Sequence, residues 1–134
     1  MMRKIEHIGI AVKSLQESNL LFEKLLGTAA YKEEEVASEG VKTSFFMSGP
    51  NKIELLEATN PDSPIAKFLE KKGEGIHHIA FDVEDIFAEI ERLKVEGFTV
   101  LNETPKKGAD NKLVAFLHPK TTNGVLIELC QEIK

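Results

Sequence analysis

Cysteine is almost missing from this chain: Cys130 stands alone among 134 residues. An internal disulfide is therefore excluded, and so is a closed thiolate cage for a metal. The chain does not open on a charged segment followed by an apolar one, so the expected compartment is reducing and cytoplasmic. No apolar run approaches the roughly twenty residues needed to span a bilayer. Positive charge is also in short supply, with 17 Lys and Arg against 22 Asp and Glu and a net charge of −5. The cations are scattered and form no basic stripe, which argues against nucleic acid or an anionic membrane surface as a partner. No segment is low in complexity, and the one run of like charge, Glu33-Glu34-Glu35, reads as a solvated strand edge or loop.

What is present is a pattern stated twice. His7-Ile-Gly-Ile-Ala-Val12 returns as His78-Ile-Ala-Phe-Asp-Val83, and Lys52-Ile-Glu-Leu-Leu56 returns as Leu126-Ile-Glu-Leu-Cys130. With 42% hydrophobic and 29% charged side chains, the composition is that of an ordinary globular protein, with room for one compact domain or two small fused modules. Residues 1–60 read as a first module, 61–74 as a linking helix and 75–134 as a second module.

Both modules follow one plan. From Lys4 to Val12 the residues alternate with period two, the mark of a strand, and His7 lies inside it. Ser14 stands three before Glu17, a capping-box spacing, and Leu15, Leu21, Phe22, Leu25 and Leu26 form a helical stripe closed by Gly27. In the second module Asp85 caps a helix whose Ile86, Ile90, Leu93 and Val95 are expected to lean inward, with Gly97 ending it. Three extended stretches follow each helix: 29–36, 41–48 and 52–58, then 99–102, 113–117 and 125–131. Turn residues at Gly49-Pro50-Asn51 and from His118 to Gly124 precede the last strand of each set. Each module thus reads βαβββ. In the link, Ser63 is an N-cap with Pro64 at the first helical position, ahead of Ile65, Ala66, Phe68 and Leu69.

Each module offers one His on its first strand and one Glu on its last: His7 and Glu54, then His78 and Glu128. A lone strand His is more often a packing residue than a ligand. The glutamates carry more weight, because each interrupts an apolar strand where an unpaired buried carboxylate would be costly. A half-exposed sheet with both Glu facing solvent also satisfies the alternation; repetition of the His and Glu pairing in both modules favours a cation. Two imidazoles and two carboxylates suit a borderline divalent ion such as cobalt, manganese, zinc or iron. Of the adjacent His77 and His78, the repeat selects His78, which precedes Ile-Ala-Phe as His7 precedes Ile-Gly-Ile. Alternation sends His77 to the opposite face as a packing residue. His118, in a turn before Pro119, reads as structural.

These residues resemble the vicinal oxygen chelate superfamily along the whole chain. Within it, Asp62-Ser-Pro-Ile-Ala-Lys-Phe-Leu69, Gly75-Ile-His-His-Ile-Ala-Phe81, Phe116-Leu-His-Pro-Lys120 and Gly124-Val-Leu-Ile-Glu-Leu129 are similar in order and spacing to the methylmalonyl-CoA epimerase family. The resemblance implies an α+β fold in which two paired βαβββ modules form a curved eight-stranded mixed sheet around a metal site. It implies His7, His78 and Glu128 as metal ligands, with Glu54 in a fourth position that is open to Gln elsewhere in the family. Four protein ligands and a bidentate substrate complete an octahedron, so cobalt is the first expectation for the ion, with manganese, zinc, nickel or iron as alternatives.

The implied reaction interconverts (2R)- and (2S)-methylmalonyl-CoA by removal and return of the C2 proton through a metal-stabilised enolate. Glu128 is implied as ligand and base. For the opposite face some relatives place a Glu where Gly40-Val-Lys-Thr43 has Thr43, and an unaided hydroxyl is no base at neutral pH. The second base is then Glu54, a water held by Thr43, or a loop residue. Lys106, Lys107 and Lys120, on late loops, are candidates for the coenzyme A phosphates, against a plain reading as solvated surface. A homodimer, an acyl-CoA substrate and a place in propionate metabolism beside methylmalonyl-CoA mutase follow from the same resemblance. The alternative within the superfamily is a glyoxalase-like lyase acting on a glutathione or other thiol hemithioacetal.

Overall fold

Strand β1 (Met2–Ala11) begins a computed structural model that describes residues 1–134. The chain falls into two units, one of His7–His77 and one of Met1–Glu6 with His78–Lys134, so β1 is divided between them.

In the unit of His7–His77, β1 runs into α1 (Leu15–Leu26), β2 (Lys32–Val36), β3 (Val41–Ser48), β4 (Asn51–Ala58) and α2 (Pro64–Lys72). The strand order is β2-β3-β4-β1, with β1 parallel to β4 and the other pairs antiparallel. Helix α1 starts where the Ser14 hydroxyl accepts the Glu17 N–H at 3.2 Å, and it stops at Gly27, whose φ of 76° is the left-handed conformation that glycine adopts without a Cβ penalty. Its inner side packs Leu15, Phe22 and Leu26 on Val12, Phe46, Leu55 and Ile53. Helix α2, capped by the Ser63 hydroxyl on the Ala66 N–H at 3.1 Å, lays Ile65 on Ala11 and Leu56 on the other side of the sheet. Burying a side chain of this size contributes about 1.5–3 kcal/mol.

The second unit carries β5 (Gly75–Val83) from His78 onward, α3 (Ile86–Val95), a two-residue β6 (Lys106–Lys107), β7 (Lys112–Leu117) and β8 (Ile127–Glu132). The order is β5-β8-β7-β6, with β5 parallel to β8 and the rest antiparallel, the same plan as the first unit. Asp85 caps α3 by accepting the N–H groups of Phe87 and Ala88, and Ile86, Ile90 and Leu93 pack on Val83, Ala115, Leu117 and Leu129. The expected fold class holds: paired βαβββ modules, with eight strands of mixed direction. No helix is long and apolar enough to cross a membrane.

Three expectations are corrected. Leu21 and Leu25 are 63% and 70% exposed. The sheet accepts an apolar stripe only about 100° wide, and Phe22 and Leu26 occupy it. Val95 is exposed as well, since it follows Ile86 by nine residues, about half a turn out of phase. The stretch 99–102 is not a strand. Val100 makes an isolated bridge with Leu117, Leu101 N–H donates to the Phe116 carbonyl at 2.8 Å, and the Asn102 side chain accepts the Phe116 N–H at 3.0 Å. Pro105 has no N–H to continue the ladder, and regular pairing resumes only at Lys106.

Candidate active site

Register decides which side chains share a face. In the first unit His7, Gly9 and Ala11 on β1 lie beside Lys52, Glu54 and Leu56 on β4, and Met47, Phe45 and Thr43 on β3 complete the rows. Glu54 therefore stands between Gly9, which contributes no side chain, and Phe45. Because successive strand residues alternate, the intervening Ile53 and Leu55 face α1 instead. His7 Nδ1 lies 3.1 Å from Glu54 Oε2.

The second unit repeats the arrangement. His78, Ala80 and Asp82 of β5 share a face with Glu128 and Cys130 of β8 and with Phe116 and Val114 of β7. His78 Nε2 lies 3.1 Å from Glu128 Oε1, and the His78 ring meets Phe116 edge-on at 6.1 Å. Each glutamate thus has a phenylalanine directly opposite it on the antiparallel neighbour, Phe45 for Glu54 and Phe116 for Glu128. Both carboxylates are buried beside these rings, and the low local dielectric of such a setting strengthens electrostatic interactions at them.

The four polar residues are only 5–6% exposed, which removes the reading in which the glutamates face solvent. Carboxylates this deep require a cationic or hydrogen-bonding partner, and an imidazole at 3.1 Å supplies part of it. Two nitrogen and two oxygen donors also form a chemically suitable ligand set for a borderline divalent ion.

Other candidates occupy distinct surroundings. Thr43 is 1% exposed and shares the face of Glu54, one register step away beside Leu56. In the other module Val114 stands at the matching position, so Thr43 substitutes a hydroxyl for a methyl in an otherwise repeated wall. Lys106 and Lys107 are exposed on the edge strand β6, Lys106 on the face of Cys130 and Lys107 on the opposite one. Lys120 sits in the turn before β8, where its N–H donates to His118 Nδ1 at 3.0 Å. That bond makes His118 a turn residue, as expected. His77 packs edge-on against Phe68 at 5.0 Å, in the packing role expected of it. Burial pushes the Cys130 thiol up, and it donates to the Phe81 carbonyl at 3.5 Å, which leaves little thiolate to act as nucleophile or ligand.

Two features escaped sequence reasoning. Lys52 belongs to the Glu54 face, a placement that simple alternation from Glu54 would have given. Glu57 and Gln131, each three residues beyond a site glutamate, accept the first backbone N–H of α1 and α3. Their matched offsets were the available signal.

The sequence profile of the Glyoxalase/Bleomycin resistance protein/Dioxygenase superfamily matches residues 6–116. An ethylmalonyl-CoA/methylmalonyl-CoA epimerase of Cereibacter sphaeroides is 45% identical over 98% of this chain and 99% of its own length. The crystal structure of methylmalonyl-CoA epimerase from Mycobacterium tuberculosis superposes with a TM-score of 0.94 at 32% identity, covering 99% of this chain and 90% of that one. A Streptomyces coelicolor methylmalonyl-CoA epimerase variant, solved in complex with 2-nitronate-propionyl-CoA, matches with a TM-score of 0.92 at 34% identity over 98% and 96% of the two chains.

Proposed function

We propose, because this chain belongs to the Glyoxalase/Bleomycin resistance protein/Dioxygenase superfamily and the relatives it matches along nearly their whole length include methylmalonyl-CoA epimerases, that it interconverts (2R)- and (2S)-methylmalonyl-CoA. The observation that carries this reading is the pair of buried His and Glu couples at equivalent positions of the two modules. The relatives favour it over a lyase acting on thiol hemithioacetals.

His7, Glu54, His78 and Glu128 would together hold one divalent ion, cobalt first. Such an ion supplies Lewis acidity that stabilises negative charge on the substrate's thioester oxygen. The chain's own residues carry the proton. Glu128 removes it from C2 on one face, and Glu54 returns one on the other, so that after a turnover the protonation states of the two carboxyl groups are exchanged. The reverse reaction uses the same pair in the opposite order. Thr43 donates a hydrogen bond on the Glu54 side rather than acting as a base, since its hydroxyl does not ionise near neutral pH. Phe45 and Phe116 exclude water and so protect the enolate from adventitious protonation. Lys106, Lys107 and Lys120 would meet the coenzyme A phosphates. A homodimer in the cytoplasm, serving propionate metabolism, completes the proposal.

The test offers the purified, cobalt-loaded protein each methylmalonyl-CoA epimer and, in parallel, the hemithioacetal of methylglyoxal with a thiol. Conversion of each epimer into the other, abolished by chelation and by His78→Ala, is expected. Turnover of the hemithioacetal alone would transfer the assignment to the lyase.

A further inference from the structure

The chain carries a net charge of −5, yet one hollow on its surface is lined mainly by cations. It measures about 330 Å³ and is formed chiefly by Lys67, Phe68, Glu70, Lys71 and Lys72 of α2, with His77 near the start of β5. All of them belong to the unit of His7–His77. The volume falls within the range of about 300–1,000 Å³ typical of small-molecule sites. Three ammonium groups face one carboxylate, so the lining is positive overall.

Helix electrostatics accounts for only part of this cluster. Lys71 and Lys72 occupy the last turn of α2, where the helix dipole favours a cation. Lys67 has no such reason to be there: it lies in the N-terminal half of the helix, one turn before Lys71, and the two like charges repel. None of the three lysines forms an ion pair, although Glu70 stands within one turn of Lys67. An anion in the hollow would relieve the repulsion. The remaining wall is aromatic. Phe68 and His77, both half-buried, meet edge-on with ring centroids 5.0 Å apart and planes at 84°. Lys72 Nζ lies 5.8 Å from the Phe68 ring centre. Phe68 packs from behind on the cluster of Ala11, Leu56 and Ile65, which holds its ring in place. Fixed aromatic surface beside ammonium groups matches a flat base joined to phosphate.

We propose that this hollow binds a nucleoside phosphate, with the base on Phe68 and His77 and the phosphate oxygens on Lys67, Lys71 and Lys72. Two sources carry that chemistry: a free nucleotide, and the nucleotide end of coenzyme A. The test titrates ADP, adenosine and inorganic pyrophosphate by calorimetry into the full-length, metal-loaded wild type, a Lys67→Gln/Lys71→Gln double variant and Phe68→Leu. Wild type is expected to bind ADP at least about tenfold more tightly than adenosine or pyrophosphate, because only ADP uses both walls. The double variant weakens ADP by at least about tenfold, and Phe68→Leu brings ADP to within about twofold of pyrophosphate. The two lysines are exposed, so the double variant keeps the melting temperature of wild type to within a few degrees.

Repeating the ADP titration with excess methylmalonyl-CoA separates the sources: competition identifies the coenzyme A end, and unchanged ADP binding identifies a free nucleotide. A wild type that binds pyrophosphate as tightly as ADP, or a double variant that binds ADP as wild type does, would overturn the assignment. The titrations do not depend on turnover, so their failure leaves the epimerase reading untouched.

Discussion

The backbone N–H of Leu15, the first residue of α1, donates to Glu57 Oε1 at 2.6 Å. In the other module the N–H of Ile86, the first residue of α3, donates to Gln131 Oε1 at 2.7 Å. Each helix start is thereby tied to the strand that carries a site glutamate, three residues along from it. Removing the acceptor leaves a helix N–H without its partner, and Glu57→Ala is expected to cost about 1–2 kcal/mol in urea unfolding. Glu57→Gln should cost much less, because the second module makes the same bond with an amide.

Opposite-face proton transfer separates the roles of the two glutamates. Glu128→Gln and Glu54→Gln are each expected to lower the epimerisation kcat by about 10²–10⁴. Each variant should still exchange the C2 proton of one epimer with solvent, and the two should retain opposite epimers. Exchange followed by NMR in deuterated water, starting from each epimer, checks this. Equal loss of exchange with both epimers in both variants would assign the glutamates to metal binding alone.

Gly40 holds the turn into β3 against the start of α2. Its φ is +63°, and a Cβ there would come 2.5 Å from the Asn60 side-chain nitrogen and 2.9 Å from Ser63 Cβ. Ser63 is the N-cap of α2, so the strain passes directly to the helix covering Ala11 and Leu56. Gly40→Ala is expected to destabilise by about 2–4 kcal/mol, combining left-handed backbone strain with overpacking. Thermal unfolding measures it.

Acid should weaken the second unit through Glu89. Two hydrogen bonds from Arg92, at 2.8 and 3.1 Å, hold this buried carboxyl below the usual carboxylate range. As pH falls, the unfolded chain takes up the proton first, so the stabilisation is complete above about pH 4.3, the ordinary glutamate pKa, and is lost as pH drops through the lower folded value. Glu89→Gln lacks this contribution at every pH. The stability gap between wild type and variant, measured by urea unfolding, is therefore expected to narrow from pH 6 to pH 3.

Much of this was legible in the chain because it is local or repeated. Ser14, Ser63 and Asp85 cap the helices they precede, and the duplicated His and Glu positions appear as two close pairs. What was missed depends on neighbours that a single segment does not reveal. Phe22 and Leu26, rather than Leu21 and Leu25, meet the sheet because the helix's rotation is fixed by its partner, not by its own composition. The lost strand at 99–102 turns on Asn102 and Pro105, one replacing a ladder bond with its side chain and the other unable to donate one. Lys52 shares the face of Glu54 beside His7 through strand pairing, a neighbour that its own segment does not reveal.

Epimerisation by two groups on opposite faces requires that the proton returned to C2 is not the one removed. The most direct measurement incubates the metal-loaded protein with (2S)-methylmalonyl-CoA in deuterated water and reads deuterium at C2 of both epimers at low conversion. The prediction is a (2R) product carrying one deuterium while the remaining (2S) substrate keeps its protium. A product that retains the original protium, or an absence of (2R) product with metal bound, would contradict it.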